Sequence, residues 1–223
     1  MSGSRGKRLP SAWFTRSALE VAEALLGCYL VHETAKGRVG GRIVETEAYL
    51  GTTDRASHSF SGVPTERTRA MFGAKGRAYV YRIYGLHWCL NVVAGPVGTP
   101  HAVLIRALEP MEGIAQMRTR QPDCPANRMD TALCRGPGKL CRAMDITAHL
   151  YDADLRGDEL FLTAGKLAAG ERVATSARIG VDYAGDDAMK PYRFFIAGNP
   201  CVSGSKKLNA SGEEAASRRS KKV

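Results

Sequence analysis

Apolar and polar positions alternate with two different periods along this chain, and turn residues separate the blocks. Ser17 stands three residues before Glu20, a capping-box spacing that predicts a helix over SALEVAEALLG ending near Gly27. CYLVHE follows as a strand, and GRIVETEAYL (41–50) has the Val, Ile, Thr and Tyr content of another. The Gly-, Thr-, Ser- and Pro-rich stretch 51–68 has the composition of a loop. AYVYRIY (78–84), a tight Gly85-Leu86-His87 connection and WCLNVV (88–93) predict a hairpin. AVLIRAL (102–108) predicts a strand and MEGIAQMRTRQ, after Pro110, a short helix. A loop at 121–128 and a helical stretch at 129–144 follow, with shorter strands near 159–163, 173–179 and 192–197. No internal repeat or heptad is visible. The mixture is α+β, in one domain over 10–203, with flexible ends at 1–9 and 204–223.

Strand alternation sorts the polar residues by face. Glu45, Glu47 and Tyr49 share one side of an otherwise apolar strand, which is costly unless that side is solvated or functional. The pattern alone favours the solvated side. Tyr79 and Tyr81 fall together and Tyr84 on the opposite face, beside Gly85 at the hairpin tip. Asn91 shares a face with Cys89 and Val93, so it requires a hydrogen-bond partner if buried.

Charge changes the picture more than composition does. The 223 residues carry 32 Lys and Arg against 22 Asp and Glu, a formal net charge of +10 that suits a polyanionic partner. The tail 204–223 is basic and almost without apolar residues, fit either for an electrostatic tether or for simple solvation. No apolar run approaches the roughly 18 residues of a membrane span, so no membrane partner is expected. MSGSRGKRLP lacks the apolar core of a secretory signal, and a cytoplasmic protein is expected, nucleoid-associated in a bacterial source. The six cysteines form no C-x-x-C pair and read as buried free thiols, with neither a zinc site nor a disulfide scaffold. GPGK (136–139) lacks phosphate-loop spacing, and H-x-E with P-C-x-x-C is absent, as is G-x-S-x-G. His32, His87, His101 and His149 suggest no chemistry by pattern, and a lone loop histidine such as His58 is ordinarily surface decoration.

RIVETEAYLG (42–51), His58, RAMFG (69–73), AYVYRIYG (78–85), Asn91 and LIRALEP (104–110) resemble, in order and spacing, the alkyladenine (3-methyladenine) DNA glycosylase family. GPGKLC (136–141), ARIGV (177–181) and KPYRFF (190–195) extend the resemblance, which spans about Ala12 to Val202. The resemblance implies that Glu47 is the general base that activates water and that Arg106 lies close to it. It implies that Tyr49, His58 and Tyr81 enclose a flipped base, and that Asn91 disfavours guanine by crowding its exocyclic amine. Tyr84 would fill the gap left in the duplex. Beside the resemblance, their place at the hairpin tip sets Leu86 and His87 to approach the minor groove with Tyr84, and Lys139 of GPGK is either a contact to a backbone phosphate or an ordinary helix-terminus or surface lysine. Leu86-His87-Trp88 sits where members of the family vary, and Glu66 stands where a proline is expected. Glu45 is the rival base, which pattern alone does not separate from Glu47.

The resulting expectation is a compact single-domain α+β fold, a curved and mostly antiparallel sheet with flanking helices and a protruding hairpin. It would excise alkylated or deaminated purines from double-stranded DNA as a monomer, with neither metal nor organic cofactor, leaving an abasic site without strand cleavage. A non-catalytic protein using the Tyr84 hairpin to sense lesions is the rival from another class, and an enzyme acting on RNA or free nucleosides is a third reading.

Overall fold

The computed structural model describes residues 6–122, 124 and 130–210. Eight strands make one open sheet: β1 (Tyr29–Thr34), β2 (Gly37–Tyr49), β3 (Ala78–Ile83), β4 (His87–Ala94), β5 (His101–Glu112), β6 (Leu160–Thr163), β7 (Val173–Ser176) and β8 (Arg193–Ile196). Neighbours run in the order β3-β4-β5-β2-β1-β6, and β8 joins β2 to β7. Every pairing of these strands is antiparallel. Among the described residues α-helices accompany them at α1 (Ala18–Ala24), α2 (Arg69–Phe72), α3 (Ile114–Thr119) and α4 (Pro137–Met144). The fold is therefore the expected α+β single domain, built on a mostly antiparallel sheet.

β2 is the axis of the molecule. β5 lines one edge of it, while the other edge is shared between β1 over Gly37–Arg42 and β8 over Glu45–Glu47. Register shifts flank Glu45 on the β5 side, local bulges that re-aim side chains where the strand changes partners. Thr46, between the two glutamates, points the other way and its hydroxyl donates to the Ala22 carbonyl of α1 at 2.7 Å. α1 itself begins as its sequence dictates, with both halves of the Ser17–Glu20 capping box formed.

Several elements end earlier than their patterns suggest, for identifiable reasons. β5 runs to Glu112, so α3 is shorter than the expected 111–121. Gly113, with φ +70°, turns the chain where a Cβ would lie 2.4 Å from the Arg38 carbonyl oxygen. The helical stretch expected at 129–144 is a 3-10 turn at Asp130–Ala132, then α4 restarted at Pro137 after Gly136. The loop expected at 121–128 lies partly outside the described residues. Further 3-10 segments at Ser11–Thr15 and Asp182–Met189, and α2, carry no periodic signal strong enough to read. At the ends, Leu9 is buried, Arg8 bridges to Thr163, and 206–210 form a helical turn.

Candidate active site

Apolar strands can bury a carboxylate only when a counter-charge and hydrogen bonds meet it. Glu45 and Glu47 are both fully buried, so the solvated face favoured by their alternation is not what forms. Partners come from 176–203, far away in sequence: β8 pairs along the edge of β2, and Ile179, Arg193 and Ser203 reach the two carboxylates. Arg106 of β5 lies between the two glutamates, its Nε donating to Glu45 Oε1 and its Nη1 to Glu47 Oε2, each at 3.2 Å. Burial pushes the Arg106 guanidinium down, but Glu47 and Glu45 outweigh it and hold it more basic than usual.

The two carboxylates are then treated differently. Glu45 accepts from Arg193 Nε at 2.6 Å, from the Ser203 amide at 2.7 Å and from the Ser203 hydroxyl at 3.0 Å. Burial pushes Glu45 up, yet Arg106 and Arg193 overcome that and hold its carboxyl below the usual range. With Arg106 it thus accepts four hydrogen bonds, as many as a carboxylate's lone pairs provide. Glu47 accepts from the Tyr49 hydroxyl at 2.8 Å and the Ile179 amide at 2.8 Å, besides Arg106. Three of the about four lone-pair directions of a carboxylate are thus used, leaving one.

Tyr49 and Arg106, the two side chains that bond Glu47, also line a cavity of about 370 Å³. That volume lies within the range of small-molecule sites. Its aromatic wall includes Tyr81, whose ring stacks on Tyr79 with centroids 5.3 Å apart, and His58, edge-on to Tyr81 at 4.6 Å. The His58 Nδ1 pairs with the Tyr79 hydroxyl at 2.8 Å. His58 keeps an exposed side, but the rings around it and nearby Arg67 push its imidazole down to about 4. Burial raises Tyr49 well above its usual value, with Glu47 adding to the effect, so the Tyr49 hydroxyl keeps its proton and donates it. Asn91 is buried in the same wall and, as its position required, finds a partner: Nδ2 donates to the Tyr79 carbonyl at 3.2 Å.

Tyr84 departs from the alternation. The strand stops at Ile83, and Tyr84 (φ 52°) and Gly85 (φ 66°) are both left-handed, closing a tight turn in which the Leu86 amide donates to Ile83. That turn brings Tyr84 back to the border of the same cavity that Tyr81 lines, rather than to the opposite face, while leaving it 82 % exposed. Leu86 (73 % exposed) and His87 project from the same tip. α4 meets the hairpin here: a Cβ on Gly138 would lie 3.0 Å from the His87 side chain, a close approach that any larger residue would have to push His87 aside to keep. Pro137 of that helix borders the cavity, and Lys139 is exposed within its first turn. The structure therefore brings Arg106, Tyr49, His58, Tyr81, Asn91 and Tyr84 to one cavity, with the fully buried Glu47 behind Tyr49 and Arg106 rather than on its wall, and Leu86, His87 and Lys139 outside it.

Three arginines went unread in the sequence. Arg178, buried, makes a bidentate pair with Asp54 at 2.5 and 2.8 Å, donates to the Ala48 and Asp187 carbonyls, and packs 4.8 Å from the Tyr49 ring centroid. It fixes the segment whose next residue, Ile179, bonds Glu47. Arg193 holds Glu45, and Arg67 lies 5.1 Å from the Tyr81 ring. The available signal was complementarity: ARIGV and YRFF each set one arginine in an apolar run, as GRIVETEAYL sets its glutamates.

Residues 12–200 match the family model for methylpurine-DNA glycosylase. A protein of Methanocella arvoryzae named as a proposed 3-methyladenine DNA glycosylase is 48 % identical over 196 residues, 87 % of this chain and 95 % of its own length. Similarly named proteins of Clostridium acetobutylicum and Bacillus cytotoxicus are 44 % and 41 % identical, covering 90 % and 88 % of this chain and 99 % of their own lengths.

Proposed function

This chain belongs to the methylpurine-DNA glycosylase family, and on that premise we propose that it flips alkylated purines out of duplex DNA and hydrolyses their N-glycosidic bonds. It is a DNA glycosylase, and its substrate is DNA containing damaged bases. The observation that carries the mechanism is the fixed Glu47 carboxylate, with one lone-pair direction left, behind two side chains of an aromatic cavity of small-molecule size.

In this reading Tyr84 enters the duplex and occupies the space that the extruded nucleotide leaves, offsetting an unstacking cost of a few kcal/mol. The base stacks against Tyr49 and Tyr81, worth about 1–3 kcal/mol per stacked base, and an alkylated cationic purine is attracted further by electron-rich rings. Asn91 crowds the exocyclic amine of an undamaged guanine. As the bond from C1′ to the base nitrogen breaks, the electron pair leaves with the base and an oxocarbenium-like sugar forms. Water held by Glu47 adds its oxygen to C1′ and passes a proton to the carboxylate. Arg106 keeps that carboxylate oriented. A cationic purine departs neutral; a deaminated one such as hypoxanthine needs a proton first and is the slower substrate. The product is an abasic site in an unbroken strand, because no lysine amine takes part.

Duplexes carrying one 7-methylguanine, hypoxanthine or ethenoadenine, incubated with the protein in chelator and then treated with alkali, test this. Strand breaks at the lesion should require alkali. Glu47→Gln should slow base release by about 10²–10⁴-fold while retaining lesion binding. Release that survives Glu47→Gln would remove the assigned base. Lesion binding without any release by the unaltered protein would restore the lesion-sensing alternative.

A further inference from the structure

A cluster of metal-ligating side chains lies away from the cavity. The cavity is built on β2 to β5, whereas His32 is on β1 and Glu159 immediately precedes β6, at the other end of the strand order. His149 comes from the 3-10 turn Ala148–Leu150. One donor atom from each of His32, His149 and Glu159 lies within 4.8 Å of the other two. The His149 Nε2 and Glu159 Oε1 atoms are 3.5 Å apart. That is close to the roughly 3.4 Å edge of a tetrahedron with bonds of about 2.1 Å.

The surroundings prepare these groups for a cation. His32 is buried, and its Nδ1 lies 2.6 Å from the Met144 carbonyl oxygen. A carbonyl only accepts, so that bond keeps the proton on Nδ1 and makes Nε2 the ligand atom, the outer-shell arrangement of metal-bound histidines. His149 has the same provision, since its Nδ1 is 2.8 Å from the Thr147 hydroxyl, which can accept from it. The Glu33 amide donates to the Glu159 backbone carbonyl at 2.8 Å, fixing that backbone beside β1. His149 and Glu159 are exposed, so the small contraction needed falls on side chains free to make it.

We propose that His32, His149 and Glu159 bind one divalent transition-metal ion of the zinc class, with solvent completing its shell. Two imidazoles and one carboxylate suit zinc, copper or nickel rather than magnesium or calcium. The ion clamps the 147–150 turn onto β1 and the start of β6, and it plays no part in base release.

Titration of the full chain with zinc chloride by calorimetry is the test. One ion per chain is expected, with His149→Ala and Glu159→Gln each weakening binding at least tenfold. Thr147→Ala should weaken it about 10–100-fold through the lost outer-shell partner. All three changes are at or near the surface, so metal-free melting should be unchanged, while at a fixed zinc concentration the melting temperature rises more for the unaltered protein than for any of the three variants. Cobalt substitution separates this site from the six free cysteines, because nitrogen and oxygen ligands give no thiolate charge-transfer band. Equal zinc affinity in the unaltered protein and His149→Ala, or a thiolate band with cobalt, overturns the proposal.

Discussion

Two neighbouring glutamates on one strand end in opposite situations, and the difference is in what each carboxylate has left to offer. Glu45 meets two guanidinium groups and both donors of Ser203, whereas Glu47 meets one guanidinium, a phenol and an amide. Glu45→Gln should therefore act on stability. It leaves the buried Arg193 without a carboxylate, a change worth about 3–5 kcal/mol and visible as a lower denaturation midpoint. If Glu45→Gln instead melts normally and loses base release, the assignment of the two roles is reversed. His58 gives the pH counterpart. Its imidazole, held down to about 4, is already neutral at pH 5, so it does not titrate between pH 5 and 8. His58→Gln should alter the rate but leave the shape of the base-release profile over that window unchanged. A limb near pH 6 that disappears in the variant would contradict this. For stability the sign is the reverse of a salt-bridged histidine: as pH falls below about 6.5 the unfolded chain takes up the proton first, and the fold loses stability until pH 4.

At the scale of elements, local rules held where a segment answers only to itself. The capping box at Ser17, the strand over 102–108 and the hairpin around Gly85 form from their own residues, whereas the extension of that strand to Glu112 was not in its pattern. The candidate site was legible as a set of residues but not as a geometry. Alternation says that Glu45 and Glu47 share a face; only the return of 176–203 brings their partners to it. Alternation also stops where a strand stops, which is why Tyr84 borders the cavity with Tyr81. Its left-handed backbone costs about 1–2 kcal/mol for a residue with a Cβ, and at 82 % exposure little packing offsets it. Tyr84→Asn should accordingly keep or slightly raise the melting temperature, since asparagine tolerates that conformation. It should also cut base release from duplex DNA and spare release from single strands, where no gap needs filling. A variant that melts lower, or that acts normally on duplexes, would dismiss the wedge.

For the whole molecule, the charge that meets DNA is not the charge that holds the site together. Glu45, Glu47, Arg106 and Arg193 cancel one another inside the fold, as do Arg178 and Asp54, so these buried groups add nothing to the formal +10. The surplus belongs to other positions. Of it, the 204–223 segment, with six basic and two acidic residues, carries +4 and leaves +6 to the rest of the chain. Affinity and selectivity should then separate experimentally. Lys139 is exposed on the helix that abuts the hairpin, and Lys139→Ala should weaken binding to lesion-bearing and undamaged duplexes alike. Each phosphate contact contributes about 0.9 to the slope of log affinity against log salt, so the variant's slope should be shallower by about that amount. Changes within the cavity should do the converse, altering the ratio of lesion to undamaged affinity at an unchanged slope. Binding isotherms across a salt series, on matched duplexes with and without one lesion, decide it. If Lys139→Ala changes the ratio and not the slope, that lysine reads the lesion and does not contact the backbone.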